Sequence, residues 1–193
     1  MIDELLRRQE DLQAEADAVV ADLGLHVLLS ALGEPVRTGS SALGLMVVPD
    51  IDITVVCPAL DRDAVVDVAA RLARHERVRV VQFRRDDGHW NTEPDAYPDG
   101  LYLGLKYRAG KDRHGAGSEW NADIWFVDEP ERQPDLGHVR TLPDRITPET
   151  RAAILLIKHS RPDYRSFDVY RSVLDDGVRT PEDYDRWRVT HGQ

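Results

Sequence analysis

A chain of 193 residues with 41% apolar and 31% charged side chains has the composition of a globular protein rather than a disordered one, and it is long enough to bury a core without staples. Its formal net charge of −10 argues against nucleic acid as the main partner, because polyphosphate is repelled at long range. The single cysteine, Cys57, excludes an intramolecular disulfide and a CxxC zinc site. No stretch approaches the roughly 18 apolar residues of a membrane span. Residues 1–24 lack a signal-peptide pattern, so a reducing cytoplasm is the expectation.

Leu5, Leu12, Ala16, Val19, Val20 and Leu23 recur at helical spacing and predict a helix over residues 2–23, stopped by Gly24. Residues 25–38 are ambiguous, broken by Gly33 and Pro35, with a short strand at Val36–Thr38 running into Gly39. Asp50–Cys57 is rich in Ile and Val and reads as a strand; Asp61 is placed to N-cap the helix after it. The near-continuous apolar run Val78–Phe83 has the pattern of a buried strand. Turn chemistry fills residues 84–100, Leu101–Arg108 alternates as a strand, and residues 109–118 form a basic, glycine-rich loop. In the strand Trp120–Val127, alternation puts Asn121, Asp123, Trp125 and Val127 on one face. A join with Pro130, Pro134 and Pro143 leads to three helical patterns, two of them opening on Thr-Pro-Glu, at Thr147 and Thr180. The layout is α+β: a mixed sheet with flanking helices, then a helical C-terminal third.

The segment that carries chemistry is Val36–Val56. Gly39-Ser40 is followed, nine residues later, by Asp50-Ile51-Asp52. On a strand, residues i and i+2 share a face, so the two carboxylates sit side by side and repel unless a cation lies between them. Magnesium suits such hard oxygen ligands together with substrate phosphates. The pair alone is weak evidence, since roughly six acidic-x-acidic triplets are expected by chance at this composition. Its context makes it specific: the pair opens a β-branched strand, and the Gly39-Ser40-Ser41 turn before it can aim backbone N–H groups at phosphate.

This constellation resembles the DNA polymerase beta-like nucleotidyltransferase superfamily, sharply over residues 36–57 and more loosely over 120–127. Thr38 stands where that pattern usually has an apolar residue. Gly39-Ser40-x-x-x-Gly44-Leu45 through Asp52 also looks like the start of small bacterial members, antibiotic-modifying enzymes among them. The resemblance implies a nucleotidyltransferase-type sheet, with residues 1–140 as catalytic core and 141–193 as a helical region packed on it. It also implies a third carboxylate on a separate strand, for which Asp123 is chosen: a lone aspartate in an aromatic, apolar strand needs a partner. Asp128, at the strand end beside Pro130, is explained by a solvated turn.

The chemistry implied by the resemblance is two-metal phosphoryl transfer. Asp50, Asp52 and Asp123 hold two Mg2+ ions, and Gly39, Ser40 and Ser41 hold the phosphates of a nucleoside triphosphate. Lys158 is either a cation closing its helix or a phosphate contact. AMP from ATP would pass to a hydroxyl of a neutral or cationic small molecule. The alternatives are a toxin-like enzyme modifying a protein or tRNA end, and a nucleotide-binding module without turnover. For Asp123 the bland reading is an ion pair with one of the many arginines. Arg108, Lys111, Arg113 and His114 either close over substrate or are solvated. No G-x-S-x-G elbow surrounds Ser40, so a serine nucleophile is not read there. The histidines lack metal-ligand spacing, and the four tryptophans read chiefly as packing residues.

Overall fold

The computed structural model describes residues 1–111 and 117–192. Five strands form one mixed sheet in the order β1-β2-β5-β4-β3: β1 Glu34–Thr38, β2 Asp50–Val56, β3 Val78–Asp86, β4 Gly100–Lys111 and β5 Gly117–Val127. Only β2 and β5 run parallel; the other three pairings are antiparallel. The architecture is α+β, as the layout of patterns predicts.

The first helix, α1 (Ile2–Asp22), ends where Gly24 takes a left-handed conformation at φ 61°, and that turn starts the short α2 (Leu25–Ser30) within the ambiguous stretch. Pro35 is tolerated in β1 because that strand is a sheet edge, where the missing N–H breaks no ladder. Asp61 caps α4 (Arg62–Leu72) by accepting the Ala64 N–H at 3.0 Å. Helices α1, α2 and α4 supply Leu12, Ala16, Leu25, Leu29, Val65 and Leu72 to one core. They pack there with the sheet residues Ile51, Ile53, Ala122, Ile124 and Phe126. These sheet residues alternate with the aspartates, so burying one face leaves the carboxylates on the other.

Two expectations are corrected. The apolar run at Val78–Phe83 is not a buried strand: β3 lies at the second sheet edge, and Val80 is 40% exposed. A register shift between Val78 and Val80 turns Val80 outward, while Val78, Val81 and Phe83 still pack on the core. The proline-rich join holds a helix, α5 (Pro134–Thr141), flanked by 3-10 turns at Pro130–Arg132 and Pro143–Arg145. Pro134 stands in its first turn, where proline is harmless, and Leu136 is its one buried residue, so it leaves almost no periodic signal.

The C-terminal helices α6 (Pro148–Ser160), α7 (Ser166–Leu174) and α8 (Pro181–Thr190) form a second apolar cluster. It takes in Leu43 and Leu45, from the end of the five-residue helix α3 (Gly39–Leu43) and just beyond it. Arg151 on α6 donates to the carbonyls of Leu43 and Gly44, tying the C-terminal helices to the turn that precedes β2. Among the described residues, no helix is long and apolar enough to cross a membrane.

Candidate active site

The parallel pairing of β2 with β5 puts Asp52 opposite Asp123 and Asp50 opposite Asn121. One carboxylate oxygen from each of Asp50, Asp52 and Asp123 lies within 4.8 Å of the others. Residues 71 positions apart in sequence therefore meet because two strands share a register, and the three aspartates are positioned to bind metal.

Gly39 is at φ 61°, and a Cβ built there would stand 2.0 Å from Asp52 Oδ2. Only glycine permits both that conformation and the close approach of the α3 turn to the carboxylate. The Ser40 hydroxyl accepts a hydrogen bond from Lys158 Nζ at 2.7 Å and lies 3.3 Å from the Tyr170 hydroxyl. Lys158 also donates to the Leu45 carbonyl at 2.9 Å. It is therefore more than a helix-closing cation: it is 2% exposed and reaches from α6 to the α3 turn. Ser41 is different. It is 2% exposed, and its hydroxyl donates to Thr38 O at 3.3 Å, within its own turn. Its side chain is not part of the cavity wall, so its main chain alone remains a candidate for phosphate.

Asp123 is not held by an arginine. Its Oδ1 accepts the Tyr102 hydroxyl at 2.6 Å, and among the described residues it makes no salt bridge. Tyr102 fits there because Gly104, two residues on and opposite Asp123, has no side chain; a Cβ at Gly104 would come within 2.5 Å of the Tyr102 hydroxyl. Asp128 is exposed at the end of β5.

Burial dominates the electrostatics. It pushes the Asp50 carboxyl up to about 6, with the Asp123 charge adding and Lys158 opposing. It pushes Asp52 up to about 7, with Asp50, Asp123 and Asp135 adding. Burial also lowers the Lys158 ammonium to about 8, against the pull of Asp52 and Asp50. Asp50 Oδ1 is buried and has no hydrogen-bond partner among the described residues. Three convergent hard oxygens, mutual repulsion and an orphaned carboxylate oxygen are what a divalent cation would satisfy, so these residues fit a metal.

Two cavities lie near the site; Asp50 and Asp52 line the first, and Asp123 lines neither. One, of about 530 Å³, is lined by Gly39, Ser40, Asp50, Asp52, Lys158 and Tyr164. The other, of about 640 Å³, lies over the outer ends of β3 and β5 and includes Arg84, Tyr97 and Trp125. Asp135, at the start of α5, lines both. Sequence reasoning missed Tyr102 and Asp135. Alternation put Tyr102 on the same strand face as Gly104, but nothing in the local pattern pairs that face with Asp123. Asp135 sits in the helix that left no periodic signal. Trp120 and Trp187 are buried packing residues, whereas Trp125 faces a cavity. Arg108 lines neither cavity. Arg113, His114 and the Lys111 side chain lie outside the described residues.

No protein-family model matches the sequence, and no curated protein matches it significantly. Solved structures do match. The chain aligns with Cid1, described for its RNA terminal uridylyl transferase activity, at TM-score 0.55 and 16% identity, over 84% of this chain and 46% of that one. A structure of Cid1 with its short product ApU aligns at TM-score 0.48 and 17% identity, over 79% and 40%. E. coli MS115-1 CdnC with ATP aligns at TM-score 0.46 and 17% identity, over 94% and 66%. The chain spans less than half the length of the Cid1 chains it matches. At these identities the likeness is one of fold, and the fold is the one that Cid1 has.

Proposed function

We propose that the protein is a metal-dependent nucleotidyltransferase that moves AMP from ATP to a hydroxyl of a small-molecule acceptor, releasing pyrophosphate. The observation that carries this reading is the convergence of Asp50, Asp52 and Asp123 within 4.8 Å beside the Gly39-Ser40 turn. Residues 1–140 act as the catalytic core in this reading, with 141–193 as a helical region packed on it, in a cytoplasmic setting.

Asp50 and Asp52 would hold two Mg2+ ions, shared in part with Asp123; the ions supply charge neutralisation for the triphosphate and a more acidic acceptor hydroxyl. The chain's own residues do the rest. Ser40, positioned by Lys158 and Tyr170, and the main chain of Gly39 to Ser41 hold the β- and γ-phosphates. Lys158 contributes the positive charge of that wall. Asp123, with Oδ1 held by Tyr102, accepts the proton of the acceptor hydroxyl on its other oxygen. The acceptor oxygen forms its bond to the α-phosphorus as the bond to pyrophosphate breaks.

A second reading, transfer to an RNA end, is favoured by the fold shared with an RNA terminal uridylyl transferase. The net charge of −10 weighs against it. A nucleotide-binding module without turnover is the third, and three convergent carboxylates disfavour it.

The test is pyrophosphate release with each nucleoside triphosphate, Mg2+ and a panel of small-molecule and RNA acceptors. Asp50→Ala and Asp123→Ala should each lower release by at least about a hundredfold. Triphosphate binding without release from any acceptor would favour the binding module, and no Mg2+-dependent triphosphate binding would sink the reading.

A further inference from the structure

The cavity beside the Gly39-Ser40 turn is walled on one side by the connection between α6 and α7: Pro162, Tyr164 and Ser166 line it next to Lys158. Among the described residues, none from α8 lines it, yet α8 holds that connection by two ion pairs. We propose that Arg161, Asp163, Asp185 and Arg188 are positioning residues, an ionic latch through which α8 sets the place of Tyr164 and thereby the affinity for a nucleoside triphosphate. This rests on the nucleotidyl-transfer reading and adds to it a control that lies outside the cavity.

The latch follows from helical spacing. Pro181, Tyr184 and Trp187 recur at every third position of α8 and are buried, the last two in the C-terminal apolar cluster. That face anchors the helix and leaves Asp185 and Arg188, also three apart, side by side on a neighbouring one. The connection answers with opposite signs. Arg161 grips Asp185 through two hydrogen bonds, Nε to Oδ1 at 2.8 Å and Nη2 to Oδ2 at 2.6 Å. Asp163 accepts one from Arg188 at 2.8 Å. Glu182, a turn earlier on α8, stands 3.9 Å from Arg161. A single pair would let the segment swivel; a forked pair and a second pair of reversed polarity fix both its position and its direction.

The latch reaches the cavity through one turn. The Tyr164 N–H donates to the Arg161 carbonyl at 3.2 Å, with Pro162 between them, so a displaced Arg161 displaces Tyr164. The Tyr164 ring lies 5.0 Å from Lys158 Nζ, and the Tyr170 ring 5.6 Å from it. Lys158 spends two of its three N–H groups on Ser40 and the Leu45 carbonyl. The two rings bound the space left for the third, so the place of Tyr164 governs whether that donor meets a phosphate or water. Both pairs are partly exposed, with 65% of the Asp163 side chain and 47% of the Asp185 side chain open to solvent. Such pairs contribute modestly and are screened by salt, so the effect on affinity is severalfold and salt-sensitive.

The test is calorimetric binding of α,β-methylene-ATP, a triphosphate that cannot lose pyrophosphate, with Mg2+ present, paired with amide hydrogen exchange. Asp185→Asn should weaken binding about threefold, and Asp185→Asn with Arg188→Gln about tenfold. Asp185→Glu, which keeps the charge, should recover most of the loss. Exchange should quicken at residues 161–166 and stay as it was in β2 and β5. Raising NaCl to about 1 M should narrow the gap between the unaltered protein and the double variant. Arg188→Gln alone breaks the other pair and keeps the test valid if Asp185→Asn fails to fold. Unchanged affinity overturns the inference, as does weaker binding without faster exchange at residues 161–166. Faster exchange spread through the sheet also overturns it, since the pairs would then be merely structural. Mg2+-dependent binding of the analogue to the unaltered protein is read first: its absence would end the parent reading, whereas binding that is indifferent to the variants ends only this one.

Discussion

A tyrosine hydroxyl on a carboxylate decides how Asp123 works. Tyr102 takes one of its two oxygens at 2.6 Å and leaves the other free for metal or proton. Burial and the Asp123 charge both push the Tyr102 phenol up, so it stays protonated and donates throughout the working range. Tyr102→Phe should lower turnover about tenfold with little change in triphosphate KM, because it frees the carboxylate to rotate without touching the phosphate wall. Its cost in stability should be only about 1 kcal/mol, read by denaturant titration. At this scale the sequence was partly legible. Asp50 and Asp52 were readable because their spacing, strand and preceding glycine are all local. The hydrogen bond to Tyr102 was not, because it depends on a strand register that brings together residues 21 apart and on the absence of a side chain at Gly104.

At the scale of elements, α6 is the member that joins the C-terminal helices to the α3 turn. Its start is secured by a reciprocal cap: the Thr147 hydroxyl accepts the Thr150 N–H at 3.2 Å, and the Thr150 hydroxyl accepts the Thr147 N–H at 2.9 Å. Beyond that cap, the helix presents Arg151, Lys158 and their contacts to α3. Thr147→Ala should cost about 1 kcal/mol and lower Tm by about 2–4 °C in a chain of this size, measured by calorimetry. Elements with strong ends, α4 and α6, were legible because caps and Thr-Pro-Glu starts are written in consecutive residues. Helix α5 and the edge position of β3 were not: one buries a single leucine, and the other carries an apolar run that a register shift splits between core and solvent.

For the molecule as a whole, the carboxylate pair is a source of instability once it is ionised. Folding raises Asp52 from an ordinary 3.8 to about 7 and Asp50 to about 6. The folded state therefore holds these protons more tightly than the unfolded state. Their stabilising effect is present at low pH and is lost as pH climbs from about 4 through 7. Asp52→Asn removes the larger share of that dependence and leaves that of Asp50. Without metal, its stability should match the unaltered protein's near pH 4, exceed it increasingly up to about pH 7 and level off above that, the gain reaching a few kcal/mol. Mg2+ with triphosphate should close the gap from the other side by stabilising the unaltered protein. A Tm difference that does not vary with pH would show that the carboxylates are not strained in the way described.

The parallel pairing of β2 with β5 has a consequence for how such a protein diversifies. Between β2 and β5 the chain makes an excursion that adds α4, β3 and β4, the two strands lying on the far side of β5, before the second carboxylate-bearing strand begins. That excursion carries most of the outer cavity's wall, including Arg84, Glu93 and Tyr97, while Gly39, Ser40, Asp50 and Asp52 precede it. Insertions or exchanges in its connection between β3 and β4, residues 87–99, can remodel that wall without displacing Tyr102, which holds Asp123, or the Gly39-Ser40 turn.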